Sequence, residues 1–359
     1  MNQGATSRSA LGLAGVVACA ALVSSCALVL GFDDHEPYPA DGGTGGLTGS
    51  GGSSATSTSS SGSGGSPHFG TPVTIASGQV GPSYIALDSS TVYWSNAGAA
   101  NGKSEIKSIP KAGGEVFTLS SMQPDILGLT VDATRVWAPM HTTVGAYSMI
   151  GALAKGGTTT WPAQSYAHGG AVYFTIAMQG TVIAWSSSET GGTIFRGDSK
   201  GSAEMVVASS QGQVSGVALD GSTTYWVSAQ QGAILRASGG TVDTFIGGQT
   251  SPTDIVLDAD TVYWTSNDGT VKALSKSSAG GQPIVIANDA VSPQGIAVDG
   301  NNVYWAEADV AGRVRTAPKG GGKVETIATG QYPFDIAVDA SRVYATMQGD
   351  GNIVAIDKK

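Results

Sequence analysis

Residues 255–264 read IVLDADTVYW, and this stretch decides the fold. It consists of an apolar run that ends in Asp258, a short turn, and the triplet Val262-Tyr263-Trp264. Apolar, β-branched and aromatic residues on both sides of a tight turn indicate a β-hairpin. The side chain of Asp258 is expected to accept hydrogen bonds from backbone N–H groups two residues on, as an Asx-turn.

The same pattern occurs seven times between residue 72 and the C-terminus, with a degenerate third copy. The aromatic positions of successive copies are separated by 38 to 48 residues. The paired segments are 85–88 with 92–94, 129–132 with 136–137, 176–179 with 182–185, 217–220 with 225–226, 255–258 with 262–264, 296–299 with 303–305, and 336–339 with 343–345.

Two further β runs follow each copy except the last. In the fifth copy the third run is 269–275, and in the sixth a turn Lys319-Gly320-Gly321 leads to a fourth run, 324–328. Four short strands in roughly 40–45 residues is the period of a propeller blade. We therefore predict an all-β fold, a seven-bladed β-propeller of four-stranded antiparallel blades. The lysines of the glycine-rich turns are expected to be solvated charges.

The last copy provides only three strands, ending at 353–356. The stretch 72–79, which precedes the first copy, resembles a fourth strand such as 324–331. We predict that this N-terminal strand, at about 72–79, completes the last blade and closes the ring. Closure would remove the exposed sheet edges that an open array presents.

The N-terminus has the layout of a secretory signal. Arg8 is the only charge in the first 32 residues, and an apolar run of small residues follows at 10–23. The sequence LVSSC at 22–26 resembles a bacterial lipobox, which implies cleavage before Cys26 and lipid attachment to it. Cys19 would leave with the signal peptide. An ordinary cleaved signal and an uncleaved anchor are the alternatives.

A tether is predicted between this signal and the repeats. From 41 to 66 only Asp41, Leu47 and Ala55 are not Gly, Ser or Thr. Such a segment cannot bury enough apolar surface to fold, so we expect a flexible linker, or else a leader with no tethering role. The predicted organisation is a lipoprotein-type signal peptide at 1–25, lipid anchor and linker at 26–67, and the propeller at 68–359.

Composition excludes several classes of protein. The chain has 359 residues, 53 of them Gly, and 41 % are hydrophobic, which suits a folded core with many tight turns. A net charge of −9 argues against a nucleic-acid partner. Two cysteines, one of them in the signal, leave no internal disulfide framework.

At the Ile-Ala-Val-Asp and Val-Tyr-Trp residues, such as 296–299 and 303–305, the chain resembles NHL, TolB-like and YWTD-type propellers. It is most similar to lipoprotein propellers of Gram-negative bacteria, particularly myxobacteria. This resemblance implies extracytoplasmic binding. The chain departs from the YWTD type in having seven units rather than six, and Asn96, Asn267 or Glu307 where that type has a regular Asp.

Candidate binding residues fall in loops that the propeller plan places on one face. Asp254 and Asp335 each follow a proline by two residues and so occupy equivalent positions. Acidic groups around a central opening would suit Ca²⁺, which takes several oxygen ligands; otherwise we expect no cofactor and no metal. The alternative is that these acids cap turns. The candidate binding face is His141, Tyr166, His168, Asp254, Glu307 and Asp335.

His141 and His168 belong to adjacent units. As a metal pair or an acid–base couple they would need a third partner, which the sequence does not single out. The alternative is two solvated loop histidines.

We predict a non-enzymatic cell-envelope lipoprotein, anchored to the outer membrane by lipid only and exposed to the periplasm or the surface. Its propeller face would bind a protein, peptide or glycan partner. The sequence contains no Gly-x-Ser-x-Gly element, HExxH helix or Cys/His zinc cluster. The alternatives are a metal-dependent lyase or hydrolase similar to streptogramin lyases, which share the seven-blade plan and use a histidine with a metal, and a passive envelope scaffold.

Overall fold

The structure is a computed structural model that describes residues 69–99, 103–123, 125–142, 147–156, 166–169, 172–188, 191–201 and 203–359. The predicted signal peptide, Cys26 and the linker lie outside the described residues. Within the described part, no helix is long and apolar enough to cross a membrane. Its helical structure includes a 3-10 turn, Lys276–Ser278.

The described strands form seven sheets, which we call blades 1 to 7 in chain order. A first strand, β1 (Val73–Ala76), precedes them. Blade 1 contains β2 (Pro82–Leu87), β3 (Thr91–Ala99), β4 (Lys103–Pro110) and β5 (Phe117–Gln123). Blade 2 contains β6 (Asp125–Ile126), β7 (Thr130–Val131), β8 (Arg135–Thr142), β9 (Tyr147–Ala154) and β10 (Tyr166–Gly169). Blade 3 contains β11 (Tyr173–Gln179), β12 (Val182–Ser187), β13 (Thr193–Asp198) and β14 (Met205–Ala208).

The C-terminal half follows the same plan. Blade 4 contains β15 (Val214–Asp220), β16 (Thr223–Ser228), β17 (Ala233–Ser238) and β18 (Thr241–Ile246). Blade 5 contains β19 (Pro252–Leu257), β20 (Thr261–Ser266), β21 (Thr270–Ser275) and β22 (Ile284–Ala287). Blade 6 contains β23 (Pro293–Val298), β24 (Asn302–Glu307), β25 (Gly312–Pro318) and β26 (Glu325–Gly330). Blade 7 contains β27 (Pro333–Val338), β28 (Arg342–Met347) and β29 (Asn352–Asp357).

Every blade is antiparallel, and its strands lie side by side in chain order from the innermost outward. In blade 2 the innermost strand is interrupted, so β6 and β7 both pair with β8. The innermost strands contact one another in the order β2, β7, β11, β15, β19, β23, β27 and back to β2. The chain is a seven-bladed β-propeller. The predicted fold class is confirmed.

Ring closure also follows the prediction. β1 pairs antiparallel with β29 as the fourth strand of blade 7, with Val73 opposite Ala355. Beyond the strand, the Gln79 N–H donates to the Gly351 carbonyl (2.9 Å), and Phe69 forms a bridge with Lys358. The first and last parts of the propeller are therefore held in one sheet.

Aromatic residues fill the spaces between blades. On β3, Tyr93 packs with Val136 of blade 2, while its neighbour Trp94 packs with Tyr344 of blade 7. Successive side chains on a strand point to opposite faces, so a Tyr-Trp pair covers both faces of its blade. Large rings supply much of the buried area at these interfaces.

The aromatic residue of blade 2, Trp137, does not occupy the position that the comparison of the seven copies assigned to it. The alignment matched Trp137 to Trp94, but the strand register matches it to Tyr93. Trp137 Nε1 donates to Asp132 Oδ2 (2.8 Å), as the Tyr93 hydroxyl donates to Asp88 Oδ2 (2.8 Å). A tryptophan here makes the hydrogen bond that a tyrosine makes in blades 1, 5 and 6.

Five of the repeated aspartates form the predicted Asx-turn, and five accept a hydrogen bond from a lysine of the next blade. Asp258 Oδ1 accepts hydrogen bonds from the N–H groups of Asp260 (2.9 Å) and Thr261 (2.8 Å). Its Oδ2 accepts from the Tyr263 hydroxyl (2.8 Å) and from Lys319 Nζ of blade 6 (2.8 Å). The same Nζ lies 5.7 Å from the centre of the Tyr263 ring.

We call this contact the lysine–aspartate clasp, and it joins five of the seven pairs of neighbouring blades. The expectation that the turn lysines are merely solvated charges is therefore wrong, because the register brings each ammonium group onto a carboxylate. Among the described residues, the clasp is missing on both sides of blade 3, where Gln179 takes the aspartate position. The clasps are Asp88–Lys155, Asp220–Lys276, Asp258–Lys319, Asp299–Lys358 and Asp339–Lys111, with Nζ–Oδ distances of 2.6–2.8 Å.

The clasps of Asp88, Asp258, Asp299 and Asp339 stabilise the charged form of those aspartates. Burial by itself raises the pKa of these carboxyl groups, but the lysine ammonium and the N–H and O–H donors outweigh it. The pKa values of Asp258, Asp299 and Asp339 fall to about 2. A depressed pKa stabilises the fold above the pKa of the unfolded carboxyl, about 3.9, and this contribution is lost as the pH falls towards 2.

Lys319→Met should lower the free energy of unfolding by about 1 kcal/mol at pH 7, because it removes the ammonium and keeps the apolar stem. Lys323→Met, on the same turn, is the matched control: Lys323 is 83 % exposed, and its loss should cost less than about 0.5 kcal/mol. Urea unfolding followed by tryptophan fluorescence measures both. The difference in the free energy of unfolding between the two variants should shrink between pH 5 and pH 2. Equal losses of that free energy at pH 7 would contradict the clasp.

Candidate functional site

One position of each innermost strand forms a ring around the central channel of the propeller. This channel position directly precedes the aliphatic residue that is paired with the Trp position, as Asp254 precedes Ile255 opposite Trp264. Four of the seven positions carry only Gly or Thr, and the others carry a phenol or a carboxyl group. The seven residues are Tyr84, Gly128, Thr175, Gly216, Asp254, Gly295 and Asp335.

Irregular backbone lies just before the channel position in four of the blades. The innermost strands of blades 1, 5, 6 and 7 carry a β-bulge just after an initial proline. Bulges are often found where a strand must re-aim a side chain. Before that proline, Ser251, Ser292 and Tyr332 have left-handed φ angles of 44°, 46° and 49°. Residues other than glycine rarely adopt this backbone conformation. Strained backbone of this kind is found most often at functional sites.

The carboxylate of Asp335 ties blade 7 to blade 1. Its Oδ1 accepts from the Ile336 N–H (2.7 Å), and its Oδ2 accepts from the Ile85 N–H across the ring junction (2.9 Å). Asp254 does the same between blades 5 and 6, accepting from Ile255 (2.8 Å) and Ile296 (3.3 Å). Both aspartates therefore have a structural task next to the channel.

Glycines leave room for these carboxylates. A Cβ added to Gly295 would lie 2.5 Å from Asp335 Oδ1, and one added to Gly216 would lie 2.9 Å from Asp254 Oδ1. Neither contact is tolerable without a shift of the carboxylate. The absence of a side chain at alternate channel positions is thus part of how the two aspartates are accommodated.

The channel raises the proton affinity of both carboxyl groups. Burial among the converging strands raises the pKa of Asp254 to about 8, and the charge of Asp335 adds to this effect. Burial likewise raises the pKa of Asp335 to about 6, although its two N–H bonds oppose the rise. Burial and the two nearby carboxylates raise the pKa of the Tyr84 hydroxyl as well. The three groups share one electrostatic environment.

Aromatic rings border the same mouth. Tyr84 packs edge-on against Phe334, with ring centres 5.4 Å apart. Tyr332, on the loop that enters β27, is 39 % exposed. We call Tyr84, Asp254, Asp335, Phe334 and Tyr332 the channel-mouth cluster. Aligning the four copies that begin with a proline would have shown Tyr84 at the position of the two aspartates and Phe334 beside one of them.

Tyr166 lies apart from this cluster. It begins β10, the outermost strand of blade 2, and it is buried. Its hydroxyl donates to the Asp198 carbonyl (2.8 Å) and accepts from the Asp198 N–H (2.9 Å), and its ring stacks on Trp185 at 4.6 Å. The side chain joins blades 2 and 3 and presents nothing at the channel.

Glu307 is also buried away from the channel mouth, within blade 6. Its Oε1 accepts from Trp305 Nε1 (3.0 Å) and Arg315 Nη1 (3.1 Å), and its Oε2 accepts from Arg313 Nε (2.7 Å). Arg315 also pairs with Asp289 (3.0 Å). A carboxylate that is fully buried and held by two arginines is not available to a partner, so we leave it out of the candidate site.

His141 and His168 lie in strands of blade 2, at the end of β8 and within β10. The prediction that they lie in loops of adjacent units is therefore wrong, and their side chains lie outside the described residues. Among the described side chains, no group of three or more His, Cys, Asp or Glu could hold a metal ion. A calcium ion at Asp254 and Asp335 stays a prediction.

Comparison with known proteins adds support for the fold. No protein-family model matches the sequence, and no curated protein matches it. A catalytically inactive variant of virginiamycin B lyase from Staphylococcus aureus, solved with quinupristin, is 16 % identical with a TM-score of 0.64 over 80 % of this chain and 99 % of its own. The WD40 propeller domain of Doa1 gives 14 % identity and a TM-score of 0.64 over 81 % and 97 %.

A computationally designed protein, Ika8, has a TM-score of 0.55 at 12 % identity, over 79 % of this chain and 98 % of its own. Three proteins of such different kinds share one architecture with this chain. At these identities the likeness shows the fold alone.

Raising the pH from 5 to 9 should lower the melting temperature, because both channel carboxyls must ionise inside the fold. A raised pKa contributes stability below the unfolded value of about 3.9, and this is lost as the pH rises through about 6 and 8. Asp254→Asn should reduce this decrease in melting temperature. Asp260→Asn, at an exposed turn of the same blade, should leave the decrease unchanged. Calorimetry at several pH values measures this. An identical fall in both variants would be incompatible with the assignment.

Proposed function

We propose that the chain is a non-enzymatic cell-envelope lipoprotein, anchored to the outer membrane through Cys26. The channel mouth of its propeller would bind a protein, peptide or glycan partner. The channel-mouth cluster carries this proposal. It supplies aromatic surface and polar groups together, which is the usual composition of a recognition site.

The cluster combines features that cost stability. Asp254 and Asp335 are placed where burial opposes their ionisation, and Tyr332 has a strained backbone. A sequence selected for stability alone would not favour two aspartates among the channel positions. Four of the seven channel positions carry Gly or Thr, so the fold does not require a carboxyl group there. Perturbed carboxyl groups and local strain are typical of functional sites.

The chemistry of the cluster suits a neutral or cationic ligand with hydroxyl, amide or amine groups. A carboxyl whose pKa is about 8, as at Asp254, can donate a hydrogen bond when protonated and accept one when ionised. The Tyr84–Phe334 pair offers ring surface beside it. An acidic chain with net charge −9 disfavours nucleic acid and anionic lipid.

The predicted tether agrees with a role at a membrane. A Gly/Ser/Thr segment as long as 41–66 would give a root-mean-square span of roughly 30 Å. Such a linker would hold a propeller away from the lipid surface and leave it free to turn towards a partner.

Lipid attachment is tested by metabolic labelling with an alkyne fatty acid in a Gram-negative host. The chain has two cysteines, so Cys19→Ala is the matched control for Cys26→Ala. We expect label on the wild type and on Cys19→Ala and none on Cys26→Ala, because the proposed acceptors belong to Cys26. Label that persists on Cys26→Ala would rule out this anchor.

The binding surface is tested by a photo-crosslinking amino acid placed at Tyr332 and, as control, at Val242 on the outermost strand of blade 4. These positions are similarly exposed, at 39 % and 40 %. In intact cells of the native host, the probe at position 332 should yield a discrete adduct and the probe at 242 none. Adducts at both positions, or at neither, would count against the channel mouth.

A further inference from the structure

The exposed apolar side chains of the propeller fall into two groups. Among the described residues, seven of the eleven large hydrophobic side chains that are exposed lie on the outermost strands of blades, as Val242 does on β18. The other four lie in loops on the face of the channel mouth, and these loops belong to blades 6, 7 and 1. We call these four the apolar arc: Val80, Val291, Val310 and Tyr332.

Backbone hydrogen bonds join the loops that carry the arc. The loop that enters blade 6 is bonded to the next loop of that blade, from the Ala308 N–H to the Ser292 carbonyl (3.1 Å). The Tyr332 N–H donates to the Asp309 carbonyl (2.7 Å) and so connects blade 6 to the loop that enters blade 7. The Gln79 N–H ties the loop that enters blade 1 to blade 7. Loops that are fixed in this way lose little conformational entropy when a partner binds.

The turns themselves do not require apolar residues at these positions. Val80 and Val291 lie two residues before the first proline of an innermost strand, and the equivalent residue of blade 5 is Thr250. Val310 lies in the turn between the second and third strands of blade 6, whereas the equivalent turn of blade 5, 267–269, contains no apolar residue. Single exposed valines are common on protein surfaces, but several on one connected rim are typical of an interaction surface.

Acidic groups lie among the same loops. Asp309 directly precedes Val310, and Asp350 lies in the corresponding turn of blade 7, where its Oδ2 accepts a backbone N–H (2.8 Å). Among the described side chains, neither carboxylate has a lysine or arginine partner. Arg313, on the strand that follows Val310, is bound by the buried Glu307 instead. The arc therefore combines apolar surface with negative charge that no cation of the described part neutralises.

We propose that the apolar arc docks a peptide segment in which a lysine or arginine is flanked by apolar side chains. The basic group would lie at the carboxylates of Asp309 and Asp350, and the apolar groups would pack on Val310 and Tyr332. Tyr332 belongs to the channel-mouth cluster as well, so the docking surface begins at the channel mouth. This inference rests on the proposed function and narrows its partner to one chemistry.

Charge and apolar surface together decide between the classes of partner. An acidic ligand would meet repulsion at the carboxylates of the arc, because complementary charge is what selects a partner at such a rim. A glycan has few apolar groups to place on three exposed valines. A basic peptide with apolar side chains satisfies both features of the surface.

A phage-displayed library of random peptides, selected against the full-length protein, tests the proposal. The enriched peptides should contain a lysine or arginine beside an aliphatic or aromatic residue. Synthetic copies should bind in isothermal titration calorimetry. Replacing their basic residue with glutamate should weaken the binding by about tenfold or more, because like charges then face each other.

Variants of the protein locate the binding. Val310→Ser and Tyr332→Asn should each raise the dissociation constant by about fivefold or more through lost apolar contact, and asparagine tolerates the left-handed backbone at position 332. Asp350→Asn removes the charge, keeps an acceptor for the backbone N–H, and should also weaken the binding. Val242→Ser on the outermost strand of blade 4 and Asp260→Asn on the opposite face are the matched controls and should leave it unchanged. Melting temperatures equal to that of the wild type should show that every variant is folded.

The proposal is overturned if no peptide is enriched, if the enriched peptides lack a basic residue, or if their binding survives Val310→Ser and Tyr332→Asn. A glycan array probed with the same protein separates this failure from a failure of the proposed function. A glycan that binds the wild type but not Tyr332→Asn would overturn the peptide specificity and keep the channel mouth as a binding site. Failure of both libraries, with no crosslink at position 332 in cells, would reject both proposals.

Discussion

Every blade of this propeller is apolar on both faces, so each must be covered by a neighbour on each side. Tyr93 and Trp94, adjacent on one strand, pack against different blades, and the equivalent residues repeat this around the ring. No blade can satisfy this requirement alone, and a linear array would leave two faces bare. Closure through β1 and β29 is the consequence, and every other feature of the protein is arranged around that closed ring.

The polar contacts between neighbouring blades lie in two places. Near the channel, Asp254 and Asp335 reach the backbone of the following blade. On the opposite face, the lysine–aspartate clasps join neighbouring turns, and the clasp of Asp258 lowers the pKa of its carboxyl group. The pKa of an aspartate is therefore shifted in opposite directions at the two places. Burial next to a second carboxylate raises the pKa at the channel, whereas an ammonium group and several donors lower it at the turns.

Blade 3 is where the regular plan changes. Gln179 replaces the repeated aspartate, and Gln179 Oε1 accepts from the Gly221 N–H of blade 4 (2.7 Å) in place of an ion pair. Blade 2, beside it, has an interrupted innermost strand and a tryptophan in the tyrosine position. A repeat protein can depart from its consensus where another interaction supports the interface, as the Gln179 hydrogen bond does between blades 3 and 4.

The sequence by itself determined the number of blades, their strand order, the Asx-turns and the strand that closes the ring, because these follow from short-range periodicity and turn chemistry. It also placed Asp254 and Asp335 at equivalent positions. Only the tertiary structure decided what each side chain meets. Strand register turned Glu307 inward onto Arg313 and Arg315, while ring geometry carried the turn lysines onto the aspartates of neighbouring blades. Such partners are up to 228 residues apart, and no local pattern in the chain encodes the register that brings them together.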